Sequence, residues 1–281
     1  MQNEKWTIEI KPKTGWFDIN LKELIQYKDL IIMFVKRDFK TLYKQTILGP
    51  LWIIINPLLT TIMYTIVFGN IAKISTDGMP QIIFYMLGTT VWTYFSTCLT
   101  KTSTTFTGNA AIFGKVYFPR LVTPISIVIS GLINFAVQFA MFLIFAIYYY
   151  IKGAPINPNI YILMTPLLLV ELAMLSLGFG VIISSLTTKY RDLAVLVTFG
   201  VQLWMYATPV VYPASQIGGK LKNLMMLNPV SPIVETFRCA FLGCGSIPWN
   251  FLMISVCTTL VVLFIGVILF SRVEKTFMDT V

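Results

Sequence analysis

The chain has 281 residues, of which 56% are hydrophobic and only 12% are charged, and it contains no histidine. A soluble domain of this size normally carries about 25% charged residues, because it must cover its surface with polar groups. The composition therefore excludes an ordinary soluble protein. The formal net charge is +9, and its distribution along the chain, described below, explains it without a nucleic-acid partner.

The hydrophobic residues form long blocks and do not recur at the period of a half-buried helix or strand. A helix needs about 20 residues to cross the roughly 30 Å hydrocarbon core of a bilayer. A membrane β-barrel would need alternating strands of about ten residues, and runs such as 167–170 and 261–265 do not alternate. We therefore predict an all-α integral membrane protein with six transmembrane helices, near 48–72, 82–100, 121–151, 160–186, 193–212 and 250–271.

Lysine and arginine are distributed unevenly between the segments that connect these spans. Sixteen of the 21 lie in one alternating set, and the other five lie in the opposite set. The positive-inside rule places the richer set in the cytoplasm, together with both termini. The richer set consists of residues 1–46, 101–120, 187–192 and 271–281.

A different pattern precedes the first span, where apolar residues recur at helical spacing from Leu21 to Tyr43. The opposite face is basic. The pattern predicts an amphipathic helix over 21–45 that lies in the membrane interface beside anionic head groups. A solvated helix of a small N-terminal domain is the alternative. The basic residues of this face include Lys36, Arg37, Lys40 and Lys44.

Segment 213–249 is too polar to span the membrane and too apolar for a plain loop. Asn228-Pro229 followed by 233–242 predicts a short helix, with Glu235 in its first turn near the positive end of the helix dipole. We expect it to enter from outside and turn back, although a packing cap would have the same pattern. Cys239 and Cys244 lie here, and the sequence leaves open a disulfide or two packed thiols.

Glu171 is the acidic residue that lies well inside a predicted span. A carboxyl group at that depth is a functional candidate because its isolation in lipid is costly. Pairing with Arg238 or Lys152, or a helix-to-helix hydrogen bond that fixes packing, is the favoured interpretation. We expect no catalysis, because the sequence has no histidine base, no paired carboxylates within a span and no metal-binding spacing of its cysteines.

The stretch from Gly108 to Lys115 superficially resembles a phosphate-binding loop. It has one residue too many between its glycines, and Val116 stands where the metal-binding Ser or Thr belongs. We therefore expect nucleotide hydrolysis to come from another polypeptide.

Four stretches of the sequence resemble the type-2 ABC exporter permeases that move bacterial polysaccharides such as O-antigen and teichoic acid. They cover nearly the whole chain in the family's order, although they say little about the particular glycan. The stretches are KRDFKTLYKQTILGPLW at 36–52 with Asn56-Pro57 after it, VYFPR at 116–120, KYRD at 189–192 and LNPVSP at 227–232.

The resemblance implies a homodimer of six-span permeases in the bacterial cytoplasmic (inner) membrane, paired with two copies of a cytoplasmic ATPase. ATP and Mg²⁺ would be bound by that partner, with no cofactor in this chain. A lipid-linked polysaccharide would pass through a channel between the two permeases. The implied divisions are a cytoplasmic segment at 1–46 with the interfacial helix, a transmembrane domain at 47–271 with an external re-entrant segment at about 213–246, and a cytoplasmic tail at 272–281.

The resemblance also implies residue roles. A coupling helix at about 108–118 would contact the ATPase, with the turn at 187–192 as a second contact. The residues expected at this interface are Gly108, Asn109, Phe113, Lys115, Tyr117, Phe118 and Arg191. Aromatic residues of the first, second and fifth spans would line the channel, although most aromatics in membrane proteins are interface anchors or face lipid. The expected lining residues are Trp52, Tyr64, Phe84, Tyr85, Trp92, Phe95, Phe199, Trp204 and Tyr206.

Three other functions compete with polysaccharide export. A permease for a drug or small lipid would belong to the same superfamily and would have a narrower path. A secondary transporter would use Glu171 as a proton carrier, but no inverted repeat is obvious between the two halves. A membrane-bound glycosyl- or acyltransferase is the weakest alternative, because no convergent acid–base set is visible.

Overall fold

The computed structural model describes residues 21–44, 49–190 and 192–276, and within those ranges the regular structure is entirely helical. The predictions for residues 1–20, 45–48, Arg191 and 277–281 concern residues outside these ranges. The helices are α1 (Leu21–Gln26), α2 (Lys28–Lys44), α3 (Trp52–Tyr64), α4 (Gln81–Ser103), α5 (Thr105–Gly108), α6 (Ala110–Phe113), α7 (Val122–Ile151), α8 (Thr165–Thr187), α9 (Leu193–Tyr206), α10 (Gly219–Met226), α11 (Val230–Leu242) and α12 (Trp249–Thr276).

Five helical segments in the described part of the chain are long and apolar enough to cross a membrane. α3 reaches this length because a π-helical stretch, Thr65–Ile71, continues it, and α8 because a 3₁₀ turn, Ile160–Met164, precedes it. These five segments are Trp52–Ile71, Gln81–Ser103, Val122–Ile151, Ile160–Thr187 and Trp249–Glu274.

The predicted span at 193–212 is shorter than expected. α9 has 14 residues, which corresponds to about 21 Å of helix, less than the hydrocarbon thickness. It ends at Tyr206, shortly before Pro209, because a proline restricts the residue before it and cannot donate a hydrogen bond to continue the helix. The apolar Val210 and Val211 extend the hydrophobic block but not the helix.

α4 is the central helix of the bundle. It packs against α3, α7, α8, α9 and α11, and its side chains from Ile83 to Leu87 are fully buried. α8 and α12 form the other close pair. A Cβ atom on Gly266 would lie 2.7 Å from the carbonyl oxygen of Gly178. The two glycines therefore permit the close approach that drives helix association in lipid.

The two ends of the bundle are built from different segments, as the charge distribution predicted. At one end, the α4–α5 junction and the end of α8 meet where Thr187 Oγ1 donates to the carbonyl oxygen of Ser103 at 2.8 Å. At the same end, the backbone N–H of Arg120 donates to Glu274 of α12 at 3.1 Å. We call this the basic end, because the lysine- and arginine-rich segments meet here.

The opposite end collects the segments with few basic residues, and we call it the outer end after the orientation that the sequence predicts. Ser215 Oγ donates to a carboxylate oxygen of Asp77 at 2.8 Å, and the backbone N–H of Asn157 donates to Leu242 at 3.1 Å. All thirteen residues of α11 are buried here, whereas most of α10 is exposed.

The amphipathic helix predicted over 21–45 is divided by a turn at Tyr27, whose N–H donates to Leu24. Its inner face packs on the basic end through Leu24, Ile31 and Phe34. Ile25 and Phe39, which belong to the same apolar pattern, are exposed, as lipid-facing side chains of an interfacial helix would be. The side chain of Lys44 lies outside the described part, whereas Lys36, Arg37 and Lys40 are exposed.

Candidate functional site

An open groove of about 680 Å³ runs along α4 between α3 and α9. Its aromatic lining consists of Tyr64, Trp92, Phe199 and Tyr206. Phe199 and Tyr206 are each more than half exposed, and the Tyr64 hydroxyl lies 3.5 Å from the sulfur of Met205. We call this space the α4 groove. The structure therefore brings together four of the aromatic residues predicted to line a passage.

The polar lining of the α4 groove is mostly uncharged. Ser96, Thr97, Thr100, Thr198 and Gln202 contribute hydroxyl and amide groups. Lys101, at the basic end, is the one charged residue that lines it within the described chain. Ring faces together with hydroxyls suit a neutral polar ligand with apolar surfaces, and a nearly charge-free wall does not trap it.

The other five predicted aromatics lie elsewhere. Phe84, Tyr85 and Phe95 are fully buried within the chain, so they do not face the α4 groove. Trp204 points into the core, where its ring packs edge-on against Phe95 with centroids 5.3 Å apart. Helical periodicity gives the angular position of a side chain but not the neighbour that covers it. Trp52 is exposed and lines a different cavity, beside α7.

The basic end contains a phenylalanine cluster formed by Phe34, Phe106, Phe113, Phe118 and Phe270. Phe106 and Phe270 stack with centroids 4.4 Å apart. Phe118 lies 5.7 Å from Phe113 and 5.8 Å from Phe34, centroid to centroid. The cluster therefore joins the segment between α4 and α7 to both α2 and α12.

The segment predicted as a coupling helix at 108–118 is not one helix. α5 and α6 are single turns separated at Asn109, and irregular chain follows from Gly114. Gly108 and Asn109 are weak helix formers, which accounts for the break. The amide of Asn109 donates to the carbonyl oxygen of Thr105 at 2.9 Å and so fixes the turn.

Among the predicted contact residues that the structure describes, Asn109 is half-buried, and the others divide into two groups. Phe113 and Phe118 are buried in the phenylalanine cluster and cannot form an outer contact. Gly108, Lys115 and Tyr117 are exposed, and Tyr117 keeps 69% of its surface. Together with Ile112 and Val116 they form what we call the exposed ridge.

Arg120 fixes the end of the ridge segment to α12. The guanidinium donates to the carbonyl oxygen of Glu274 at 3.1 Å and lies 5.4 Å from the ring centroid of Phe113. Burial lowers the pKa of Arg120 from its ordinary value, and the charge of Glu274 opposes that effect. The group stays charged, because an arginine does not lose its proton in proteins.

The family model that describes ABC-2 type transporters matches residues 29–242. The chain belongs to the ABC-2 type transporter family. This match covers α2 to α11, and so includes the α4 groove and the exposed ridge.

Among curated proteins, this ABC-2 chain is similar to permeases named for O-antigen export. It is 26% identical over 252 residues to the O-antigen export system permease protein RfbA of Klebsiella pneumoniae, covering 89% of this chain and 94% of that protein. It is 28% identical over 223 residues to the protein of that name from Myxococcus xanthus, covering 79% and 83%.

In this ABC-2 chain, Glu171 pairs with neither Arg238 nor Lys152. Its carboxyl group contacts the hydroxyl of Ser255 on α12 at 2.5 Å, and that hydroxyl lies 2.7 Å from the carbonyl oxygen of Pro229. The contact therefore ties α8 to α12 and to the start of α11. This is the helix-to-helix hydrogen bond that the sequence favoured over a transport role.

Arg238 is the residue whose role the sequence analysis missed. Its guanidinium is fully buried, contacts Glu235 Oε1 at 2.8 Å, and donates to the carbonyl oxygen of Val210 at 2.5 Å. It also lies 3.9 Å from the ring centroid of Phe84. Glu235 is the sixth residue of α11, so the prediction that it occupies the first turn is wrong. The i,i+3 spacing of Glu235 and Arg238 was the signal that could have indicated the pair.

The start of α11 is held by Asn228. Its side-chain oxygen accepts from the backbone N–H of Val230 at 3.2 Å and from the indole of Trp204 at 3.0 Å. α9 and α11 are therefore joined at this residue. Cys239 and Cys244 are both buried free thiols, which settles the alternative in favour of packing.

Proposed function

We propose that this chain is the transmembrane subunit of an ATP-driven exporter that moves a lipid-linked polysaccharide across the bacterial cytoplasmic membrane. The observation that carries the proposal is the α4 groove, an open space lined by aromatic rings and hydroxyls, in an ABC-2 chain. The similarity to O-antigen export permeases along most of their length supports an O-antigen-like glycan over a teichoic acid, a drug or a small lipid.

The transporting unit would be a homodimer with six spans in each copy. The α4 groove is open on one side, and apolar side chains of α3 and α9 are exposed beside it, including Leu59, Met63 and Val195. A second copy covering this side would close the groove into a channel. α9 would act as the sixth span, together with an outer re-entrant segment formed by α10 and α11.

Energy would come from two copies of a separate ATPase subunit, which would bind ATP and Mg²⁺. We place their docking surface at the exposed ridge, with the turn around Lys189 and Tyr190 as a second contact. Both side chains are exposed at the basic end. The positive-inside rule supports a cytoplasmic position for this end and for both termini.

Export with an inactive partner tests this proposal. Cells that make the wild-type chain together with an ATPase subunit unable to hydrolyse ATP should display no exported glycan on their surface. The same cells with the active subunit should display it. Surface glycan that persists without hydrolysis would refute the proposal.

A further inference from the structure

A second polar space lies beside α4. Its lining differs from that of the α4 groove except at Thr97 and Lys101. A cavity of about 470 Å³ between α2, α4 and α7 shares Thr97, Gly131 and Asn134 with a cavity of about 310 Å³ beside α3. We call these two spaces together the lateral cavity. Thr97 and Lys101 line both the lateral cavity and the α4 groove. The lateral cavity and the α4 groove therefore adjoin at Thr97 and Lys101.

The α4 side of the lateral cavity has a regular polar pattern. Thr89, Thr93, Thr97 and Lys101 recur every four residues, which places them on one face of the helix. They line the cavity along about 18 Å of helix. The Thr89 hydroxyl donates to backbone carbonyl oxygens of its own helix, so Thr93, Thr97 and Lys101 are the members of the stripe that present polar groups to the cavity.

Three carboxamides face this polar stripe from the neighbouring helices. Asn56 of α3 and Asn134 and Gln138 of α7 line the cavity. Among the residues that the structure describes, none of the three amide groups has a hydrogen-bond partner. Gln138 is only 7% exposed. Asn56 is exposed, Asn134 is half-buried, and all three amides border the open space of the cavity. A carboxamide both donates and accepts hydrogen bonds, so these groups are suited to a ligand that carries hydroxyl groups.

The charged side chains that line the lateral cavity lie at the basic end. Arg37 is held in place by Asp38, with its two nitrogens 2.8 and 3.0 Å from one carboxylate oxygen. The other oxygen of Asp38 accepts from the hydroxyl of Ser130 at 3.5 Å. Lys101 has no ion-pair partner within 21–44, 49–190 and 192–276. The lining charges are thus two cations and one anion, and Lys101 is uncompensated.

We infer that the lateral cavity binds the phosphate-linked sugar headgroup of the lipid-linked substrate and delivers it to the α4 groove past Thr97 and Lys101. Lys101 and Arg37 contact the phosphate oxygens, and the carboxamides contact sugar hydroxyls. α2, which the sequence predicts to lie in the membrane interface, forms one wall, so we expect the ligand to reach the site from the membrane. This inference rests on the proposed function, because it assumes a lipid-linked glycan.

Binding to the purified full-length chain in phosphatidylcholine nanodiscs tests the inference. The probes are a short isoprenyl diphosphate with an attached disaccharide and the same isoprenyl diphosphate without sugar. We expect Lys101→Ala to weaken binding of both probes about tenfold, the value of one hydrogen bond to a charged group. Gln138→Leu should weaken only the disaccharide-bearing probe, and Lys101→Arg should bind both nearly as the wild type does.

The matched control is Lys152→Ala, which removes an exposed lysine at the outer end and should leave both affinities unchanged. Each variant is first checked for monodisperse elution and an unchanged melting temperature. If Lys101→Ala does not elute as folded protein, Lys101→Gln, which keeps most of the side-chain length, takes its place.

Competition by phosphatidylglycerol distinguishes the source of the phosphate. If it displaces neither probe at equal mole fraction, the site belongs to the substrate. If it displaces both, and Gln138→Leu has no effect, the cavity is a phospholipid site and the inference is overturned. Wild-type affinities in Lys101→Ala would overturn it as well.

Surface glycan in cells separates this inference from the proposed function. If purified Lys101→Ala protein binds both probes with wild-type affinity and Lys101→Ala cells export glycan normally, the lateral cavity is not part of the export path. The proposed function is unaffected by that result. If glycan export by wild-type cells does not depend on ATP hydrolysis, the proposed function itself is refuted.

Discussion

The two ends of this membrane bundle are held together by different kinds of interaction. At the outer end, the buried guanidinium of Arg238 pairs with Glu235 on α11 and joins α11 to the chain after α9 through directional bonds to the carbonyl oxygens of Val210 and Tyr212. At the basic end, five phenylalanine rings hold the ridge segment against α2 and α12 mainly by packing, and Arg120 adds hydrogen bonds to Glu274 at the edge of the cluster. Directional bonds between buried charges specify one arrangement, whereas ring packing tolerates small displacements between neighbouring helices.

This difference suggests that the outer end and the basic end have different functions. At the outer end, α11 is fully enclosed and packs against α4, so this end presents a fixed structure. The basic end presents the exposed ridge on a packed cluster of aromatic rings. In the proposed function, an ATPase bound to this ridge would transmit its movement through the rings to α2 and α12. Substitutions at the two ends measure how much each kind of interaction contributes to stability and to export.

The largest effect is expected at the outer end. Arg238→Met leaves Glu235 without its partner in a buried site, and should destabilise the protein by about 4 kcal/mol. Thermal unfolding in detergent, followed by size-exclusion fluorescence, measures this loss. Glu235→Gln combined with Arg238→Met should recover part of it, because no uncompensated charge remains. Lys220→Met, which removes an exposed charge of α10, is the control. An Arg238→Met protein as stable as this control would show that the buried pair does not fix the outer end.

A smaller loss of stability is expected in the phenylalanine cluster. Phe106→Ala opens a cavity where Phe106 stacks on Phe270, and should cost about 3 kcal/mol. Stimulation of ATPase activity by the glycan lipid should fall further than stability does, because the ridge loses its base. Phe264→Ala removes the same ring from an exposed position of α12 and should change neither quantity. Equal effects of the two substitutions would contradict a role for the cluster in coupling.

The smallest effect is expected at Glu171. Gln keeps an oxygen beside the Ser255 hydroxyl, so Glu171→Gln should cost less than about 1 kcal/mol, in the range of a typical hydrogen bond. Glycan export should be unchanged, since the carboxyl group links α8 to α12. Glu171→Leu, which removes the hydrogen bond, should lose more stability than Glu171→Gln. Loss of export in a stable Glu171→Gln protein would revive the proton-carrier hypothesis.

The membrane-spanning helices could be predicted from the sequence because long apolar blocks leave few alternatives in lipid. The boundary of α9 could not be predicted from hydropathy, since Val210 and Val211 continue the apolar block after Pro209 has ended the helix. Glycine contacts such as Gly178 with Gly266 depend on which helices become neighbours, and a single sequence does not contain that information.

The candidate site was predictable in composition but not in placement. The sequence indicated that aromatics from three spans would gather, and Tyr64, Trp92 and Phe199 do so in the α4 groove. Phe84 is buried instead, because Arg238 of α11 covers its ring. Likewise, the ridge segment was recognised, but the inward direction of Phe113 and Phe118 depends on the position of Phe34 and Phe270, which are distant in sequence.

The central claim is that a separate ATPase drives this permease by docking on the exposed ridge. The most direct measurement places a photo-crosslinking amino acid at Tyr117 in cells that make the complete transporter. The same amino acid at Leu221, which is 58% exposed at the outer end, is the control. The account predicts an adduct with the ATPase subunit from position 117 and none from position 221. An adduct from position 221, or export without any adduct from position 117, would contradict it.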